Sequence, residues 1–225
     1  MIANHLKNIR AEITRLERQF ARTPGSVKLL AVSKHQTIDK IQAAIAAGQL
    51  AFGENYLQEA LEKIKQIQLP QLEWHFIGHI QRNKTQAIAE YFTWVHTIDN
   101  FLIAERLSRQ RPANLLPLNV CIQVNISEEA AKSGVKKSEV HELAKKILTM
   151  PQLKLRGLMA IPAPQTDFTK QRAQFYELAQ LYQQLQKQFA LDTLSMGMSD
   201  DFAAAIAEGA TIIRLGTAIF GERIA

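Results

Sequence analysis

The chain has 225 residues, a formal net charge of +6 and 47% hydrophobic residues, enough apolar material for a full-sized core. A single cysteine excludes an internal disulfide framework, no apolar stretch approaches the roughly 18 residues of a membrane span, and the N-terminus MIANHLKNIRAEI lacks a signal-peptide core, so a cytoplasmic setting is the expectation. The basic excess contains no run of five like charges and accompanies no recognisable nucleic-acid module, so it reads as a solvated surface.

In chain order, Ile2, Leu6, Ile9, Ile13, Leu16 and Phe20 recur at spacings of three and four and predict a long amphipathic helix within residues 1–23, ended by Thr23-Pro24-Gly25. Eight short apolar runs follow, near 28–33, 50–52, 73–77, 93–97, 118–124, 154–161, 193–196 and 211–215. Most are continuous rather than alternating, as expected for strands buried on both faces. Segments of helical period lie between them, among them Ile38, Ile41, Ala44 and Ile45, then Val140, Leu143, Ala144 and Ile147, then Phe175, Leu178, Leu181, Tyr182 and Leu185. Eight strands each leading into a helix predict an α/β protein, a single (β/α)8 TIM-type barrel with an extra N-terminal helix, and residues 1–225 read as one domain. A doubly wound open sheet is the alternative.

In such a barrel, sites gather where strands end. Lys34 leaves the apolar run LLAV at the end of the first strand, where partial desolvation favours the free amine that condensation with an aldehyde requires. Ser199 after strand seven and Gly216-Thr217 after strand eight occupy the places where barrels bind phosphate; Gly197 permits the turn, and Ser199 is placed to cap the helix that follows. Arg214, at the end of strand eight, is expected to point inward as a permanent donor to a pyridine nitrogen. Together these predict pyridoxal 5′-phosphate (PLP) held as a covalent imine on Lys34. Cys121, within LNVCIQV, reads as a buried thiol. His75 and His79 straddle a strand end and do not predict a metal site, Asn83 is placed to cap the helix after strand three, and Lys132 offers a second amine for PLP or a solvated loop lysine.

AVSK (31–34), FGENY (52–56), WHFIGHIQRNK (74–84), LRGLMAIPA (155–163) and LSMGMSDDFAAAIAEGATIIRLGTAIFGER (194–223) resemble the pyridoxal phosphate homeostasis protein family, also called YggS/PROSC, from about residue 27 to the C-terminus. The resemblance implies a barrel like the alanine racemase N-terminal domain (PLP fold type III). It implies PLP on Lys34, Arg214 facing the pyridine nitrogen, phosphate contacts at Ser199, Gly216 and Thr217, and Asn55 and Met196 near the cofactor. It further implies a PLP carrier or buffer without turnover, meeting PLP-dependent apo-enzymes transiently. The alternative is a fold type III racemase or decarboxylase, but the chain ends about eight residues after Thr217, without room for the second domain of such racemases, and this also suggests a monomer. His35-Gln36-Thr37 departs from the proline-containing turn of many relatives.

Overall fold

The computed structural model describes residues 1–127 and 133–221. Eight parallel strands close into a barrel in sequence order, and helices follow them around the outside. The chain runs α1 (Ile2–Gln19), β1 (Lys28–Val32), α2 (Ile38–Ala46), β2 (Ala51–Glu54), α3 (Leu57–Gln66), β3 (Glu73–Phe76), α4 (Thr85–Tyr91), β4 (Trp94–Ile98) and α5 (Phe101–Gln110). It continues through β5 (Leu118–Gln123), α6 (Val140–Leu148), β6 (Leu153–Met159), α7 (Phe168–Gln186), β7 (Thr193–Ser195), α8 (Phe202–Ala207), β8 (Ile212–Leu215) and α9 (Thr217–Phe220). The expected barrel and leading helix are both present, and the closed strand order excludes the open sheet.

Successive strand residues point to opposite faces, which gives the barrel two cores. Leu29, Ala31, Phe52, Val95, Val120 and Ile213 face outward into the large cluster under the helices. Their neighbours Leu30, Ala51, Trp94, Cys121 and Ile212 face inward, with Ile77 and Met159, as a smaller cluster inside the barrel. Burial on both sides is why the strands read as continuous apolar runs. Cys121 is fully buried there, and desolvation pushes its thiol up to about 12, which leaves it protonated and unreactive.

Two strand ends differ from the sequence expectation by two residues, the other bounds by one at most. β2 continues through Glu54, two residues past the apolar run at 50–52, and Glu54 is fully buried. β6 stops at Met159, before Ile161-Pro162, where the proline ring offers no N–H to the ladder. α1 lies across the junction of the first and last elements, packing on α2, α8 and α9. His5 Nδ1 meets the Ile219 carbonyl at 2.9 Å, and Arg22 Nη1 donates to the Ile206 carbonyl at 3.0 Å. No helix of the described residues is long and apolar enough to cross a membrane.

Candidate functional site

A cavity of about 190 Å³ opens at the C-terminal ends of the strands, floored by Val32 and Ile77. Lys34, Asn55, Ser199, Arg214, Gly216 and Thr217 all line it, so six residues singled out from four separate strand ends converge. Met196 does not join them. Its side chain is fully enclosed in the outer core, and Met198, two residues on, lines the cavity instead. The alternation along β7 accounts for this, because Ser195 faces the barrel axis and Met196 therefore faces the helices.

Lys34 is half-buried and sits between two clamped neighbours. On one side, Ser33 Oγ donates to Glu54 Oε1 at 2.6 Å. On the other, the His35 N–H donates to Glu59 Oε1 at 2.6 Å. The Lys63 ammonium joins both halves, donating to the Ser33 carbonyl (2.6 Å), Glu54 Oε1 (2.8 Å) and Glu59 Oε1 (2.5 Å). Burial raises the Glu54 carboxyl above its ordinary range, and the Lys63 charge opposes that. His35 itself takes φ +60°, in the left-handed region, and the Gln36 N–H closes the turn on the Ser33 carbonyl (3.1 Å). Thr37 then caps α2, so the departure from a proline turn still yields a tight β1–α2 loop.

Sequence reasoning did not assign Lys63, Glu54 and Glu59 a role. The only local signal was Glu59 and Lys63 at i, i+4 on α3. Lys63→Met should destabilise the fold by about 3–5 kcal/mol, because it strands the fully buried Glu54 charge. A chemical-denaturation midpoint indistinguishable from wild type would contradict that account.

Asn55 is held by the neighbouring strand end. Gly78 packs so closely that a Cβ there would lie 2.0 Å from the Asn55 carbonyl oxygen. The Asn55 Oδ1 is buried with no partner among the described residues, on the wall of the cavity. A buried amide oxygen left in this state marks a place where a ligand supplies the missing donor.

On the opposite wall, Gly197 takes φ +94°, and a Cβ there would strike Ala205 at 2.6 Å. Ser199 is not the cap of α8. That helix begins three residues later at Phe202, and Asp201 Oδ1 folds back to accept from the Met198 N–H at 2.6 Å. Asn83 likewise caps nothing, since it lies within a 3-10 turn at Arg82–Lys84 ahead of α4. The backbone N–H groups of Ser199, Gly216 and Thr217 donate to no protein acceptor among the described residues. With two hydroxyls, they form a donor set suited to an anion.

Arg214 projects from β8 towards the barrel axis and is almost fully buried. Its Nη1 donates to Ser195 Oγ (2.9 Å) and its Nη2 to the Ala160 carbonyl (3.0 Å). Desolvation lowers its pKa to about 10, with Asp201 acting in the other direction, so it remains a cation at neutral pH. His79 is exposed beyond the end of β3 while His75 is buried within it, and the two do not converge. Lys132 lies outside the described residues.

A family model described as alanine racemase, N-terminal domain, matches residues 5–224. The pyridoxal phosphate homeostasis protein of Vibrio alginolyticus is 52% identical, over 99% of this chain and 97% of its own. The protein of that name from Escherichia coli K12 is 49% identical, over 99% of this chain and 97% of its own. Among solved structures, PipY of Synechococcus elongatus PCC7942, determined with PLP bound, superposes with a TM-score of 0.85 at 36% identity, covering 98% of this chain and 100% of that one. D-threonine aldolase from Filomicrobium marinum, at 14% identity and a TM-score of 0.75, covers 97% of this chain and 59% of that one and shares the fold.

Proposed function

The chain belongs to the alanine racemase N-terminal domain family, and within it to the pyridoxal phosphate homeostasis proteins; from that premise we propose that it holds PLP covalently through Lys34 and buffers or delivers it to apo-enzymes without turning over a substrate. The observation that carries this reading is the convergence, in one cavity, of a lysine, an arginine and a set of open N–H donors from β1, β7 and β8. The unpartnered Asn55 Oδ1 beside them fits a polar ligand of that kind.

When bound, PLP supplies an aldehyde that condenses with an amine and releases one water. The protein's own groups do the rest. Lys34 provides the amine, and the Lys63 cluster fixes the backbone on either side of it. Ser199, Gly216 and Thr217 would hold the phosphate through N–H and hydroxyl donors. Arg214 would face the ring nitrogen as a donor. A guanidinium has no acceptor, so it opposes protonation of that nitrogen and weakens the ring as an electron sink, which favours holding the cofactor over using it. Met198 and Ile161 at the mouth are partly solvent-exposed, and water reaching the cavity favours release by hydrolysis.

The test is to incubate the purified protein with PLP, reduce it with borohydride and map the peptides by mass. The expected result is a visible absorbance band that reduction removes, with one pyridoxyl adduct on Lys34. An adduct only on another lysine, such as Lys132, would overturn the attachment, and no adduct at all would overturn PLP as the ligand. Release of PLP to an added apo-enzyme, followed by its regained activity, tests delivery.

A further inference from the structure

The interiors of such barrels are normally filled by apolar side chains. Here a line of polar ones crosses the inner core. Glu73 and His75 come from β3, His96 from β4, Ser195 from β7 and Arg214 from β8. His75, His96 and Ser195 are completely buried and Arg214 nearly so, whereas Glu73 is partly exposed beside Lys28, at the strand ends opposite the cavity. Arg214 Nη1 lies 2.9 Å from Ser195 Oγ, Ser195 Oγ 2.8 Å from His96 Nδ1, and His96 Nε2 2.9 Å from His75 Nδ1. His75 Nε2 lies 3.4 Å from Glu73 Oε2, too long for a full hydrogen bond but close enough for a dipole to meet a carboxylate.

The donors and acceptors have one arrangement that satisfies every link. Arginine only donates, so Ser195 Oγ accepts from it. The second lone pair of that oxygen could also accept from His96, but the Glu73 carboxylate at the other end only accepts, and this orients both neutral rings so that the serine proton goes to His96 Nδ1. A neutral His96 with Nδ1 accepting carries its proton on Nε2 and gives it to His75 Nδ1. His75 is then also protonated on Nε2, which faces Glu73. Burial depresses both imidazoles, His75 to about 4 and His96 well below its ordinary value, so both are neutral as this arrangement requires. Trp94 stacks on His75 at 5.2 Å and donates its Nε1–H to Glu73 Oε2 (3.1 Å), and Lys28 donates to the same oxygen (2.6 Å). The anion at one end is thus anchored, and the cation at the other lines the cavity.

We propose that His75, His96 and Ser195 form a one-directional hydrogen-bond chain through the barrel, oriented by the Glu73 carboxylate at its far end, that positions the Arg214 guanidinium towards the ligand cavity and holds it there as a pure donor. These four are positioning residues. None but Arg214 lines the cavity, and each acts through the next. With Nη1 and Nη2 each tied to a fixed acceptor, the orientation of the guanidinium plane is set before any ligand arrives, and linked bonds in a dry interior polarise one another in the same sense. A filler role for the two histidines would require neither a common direction nor a connection to Arg214.

The inference rests on PLP as the occupant, so its test has one arm that does not involve PLP. Nitrogen-15 histidine NMR of the wild-type protein without cofactor should find His75 and His96 both neutral and protonated on Nε2 at neutral pH. Either ring protonated on Nδ1, or charged, overturns the chain. In the second arm, Ser195→Ala should shift the His96 Nδ1 resonance and weaken PLP binding about tenfold, the effect of losing one hydrogen bond to a charged group. Ser195→Thr, which keeps the hydroxyl, should recover most of it. Glu73→Gln, at the far end, should weaken binding about two- to threefold with the adduct still on Lys34. PLP binding by Ser195→Ala equal to wild type overturns the positioning role. If the wild type itself takes up no PLP, the proposed function falls, while the histidine tautomers still decide the chain.

Discussion

Lys34→Ala should abolish the visible PLP band and the borohydride-trapped adduct completely while leaving the fold in place. The loss is total because a covalent attachment has no partial substitute. Arg214, Ser199, Gly216 and Thr217 would still contact the ligand, but contacts of that kind set residence time and do not form a carbon–nitrogen bond. The fold should survive because Lys34 is half-buried at a strand exit and the ion-pair cluster beside it belongs to Ser33, Glu54, Glu59 and Lys63. Truncation at such a position costs about 0.5–1 kcal/mol. Far-ultraviolet circular dichroism and a thermal melt beside the absorbance spectrum separate the two effects. A retained band in this variant would remove Lys34 from its role, and a collapsed melt would mean that the lysine serves the fold.

The second large effect is on acid stability. His75 is fully buried, and desolvation lowers its pKa from 6.5 to about 4, with Glu73 pulling the other way. The unfolded chain therefore takes up a proton between those two values that the native protein refuses. Stability is fully present above pH 6.5 and is lost progressively as pH falls towards 4, by about 3 kcal/mol from this residue. His96 is depressed further and adds to the loss in the same direction. Glu73, lowered to about 2 by the His75 imidazole beside it and its bond to Lys28, extends the decline below its ordinary 4.5. Urea midpoints measured from neutral pH down to about pH 4 should fall steeply, and His75→Gln should flatten that slope. A wild-type midpoint constant over this range would show that the imidazoles titrate normally and are not sealed in the barrel.

Much of the fold was legible in the sequence because both faces of these strands are buried, so the runs at 28–33, 118–124 and 211–215 announce themselves without alternation. The strand exits then exposed Lys34, Arg214 and Gly216-Thr217 to inspection, while Asn55 came from the family resemblance. What escaped has three physical origins. Glu54 was given no role because a carboxylate on the outer face of a strand is improbable until Lys63, nine positions on, is known to cover it. Met196 and Met198 differ only in which side of the sheet they face, and a three-residue strand gives too little pattern to decide that. Ser199 and Asn83 are good cap residues by type, but a turn intervenes before one helix and a 3-10 segment surrounds the other. The polar line through the barrel is the furthest from sequence. His96 and Ser195 are 99 residues apart, and only closure of the barrel brings them together.

The way α1 straddles the seam between β1 and β8 has a consequence for the order of events during synthesis. β1 carries the residues leading to Lys34, yet its second neighbour is β8, so the first strand waits for nearly the whole chain before its pairing is complete. Contacts of such long range form late, because the intervening loop must lose its entropy first. Ser199 and Gly216 sit at the same late end, and so does Ile219, which His5 meets. A nascent chain on the ribosome therefore displays its lysine long before it owns a pocket. Cofactor loading belongs to the finished barrel, and every chain is born empty.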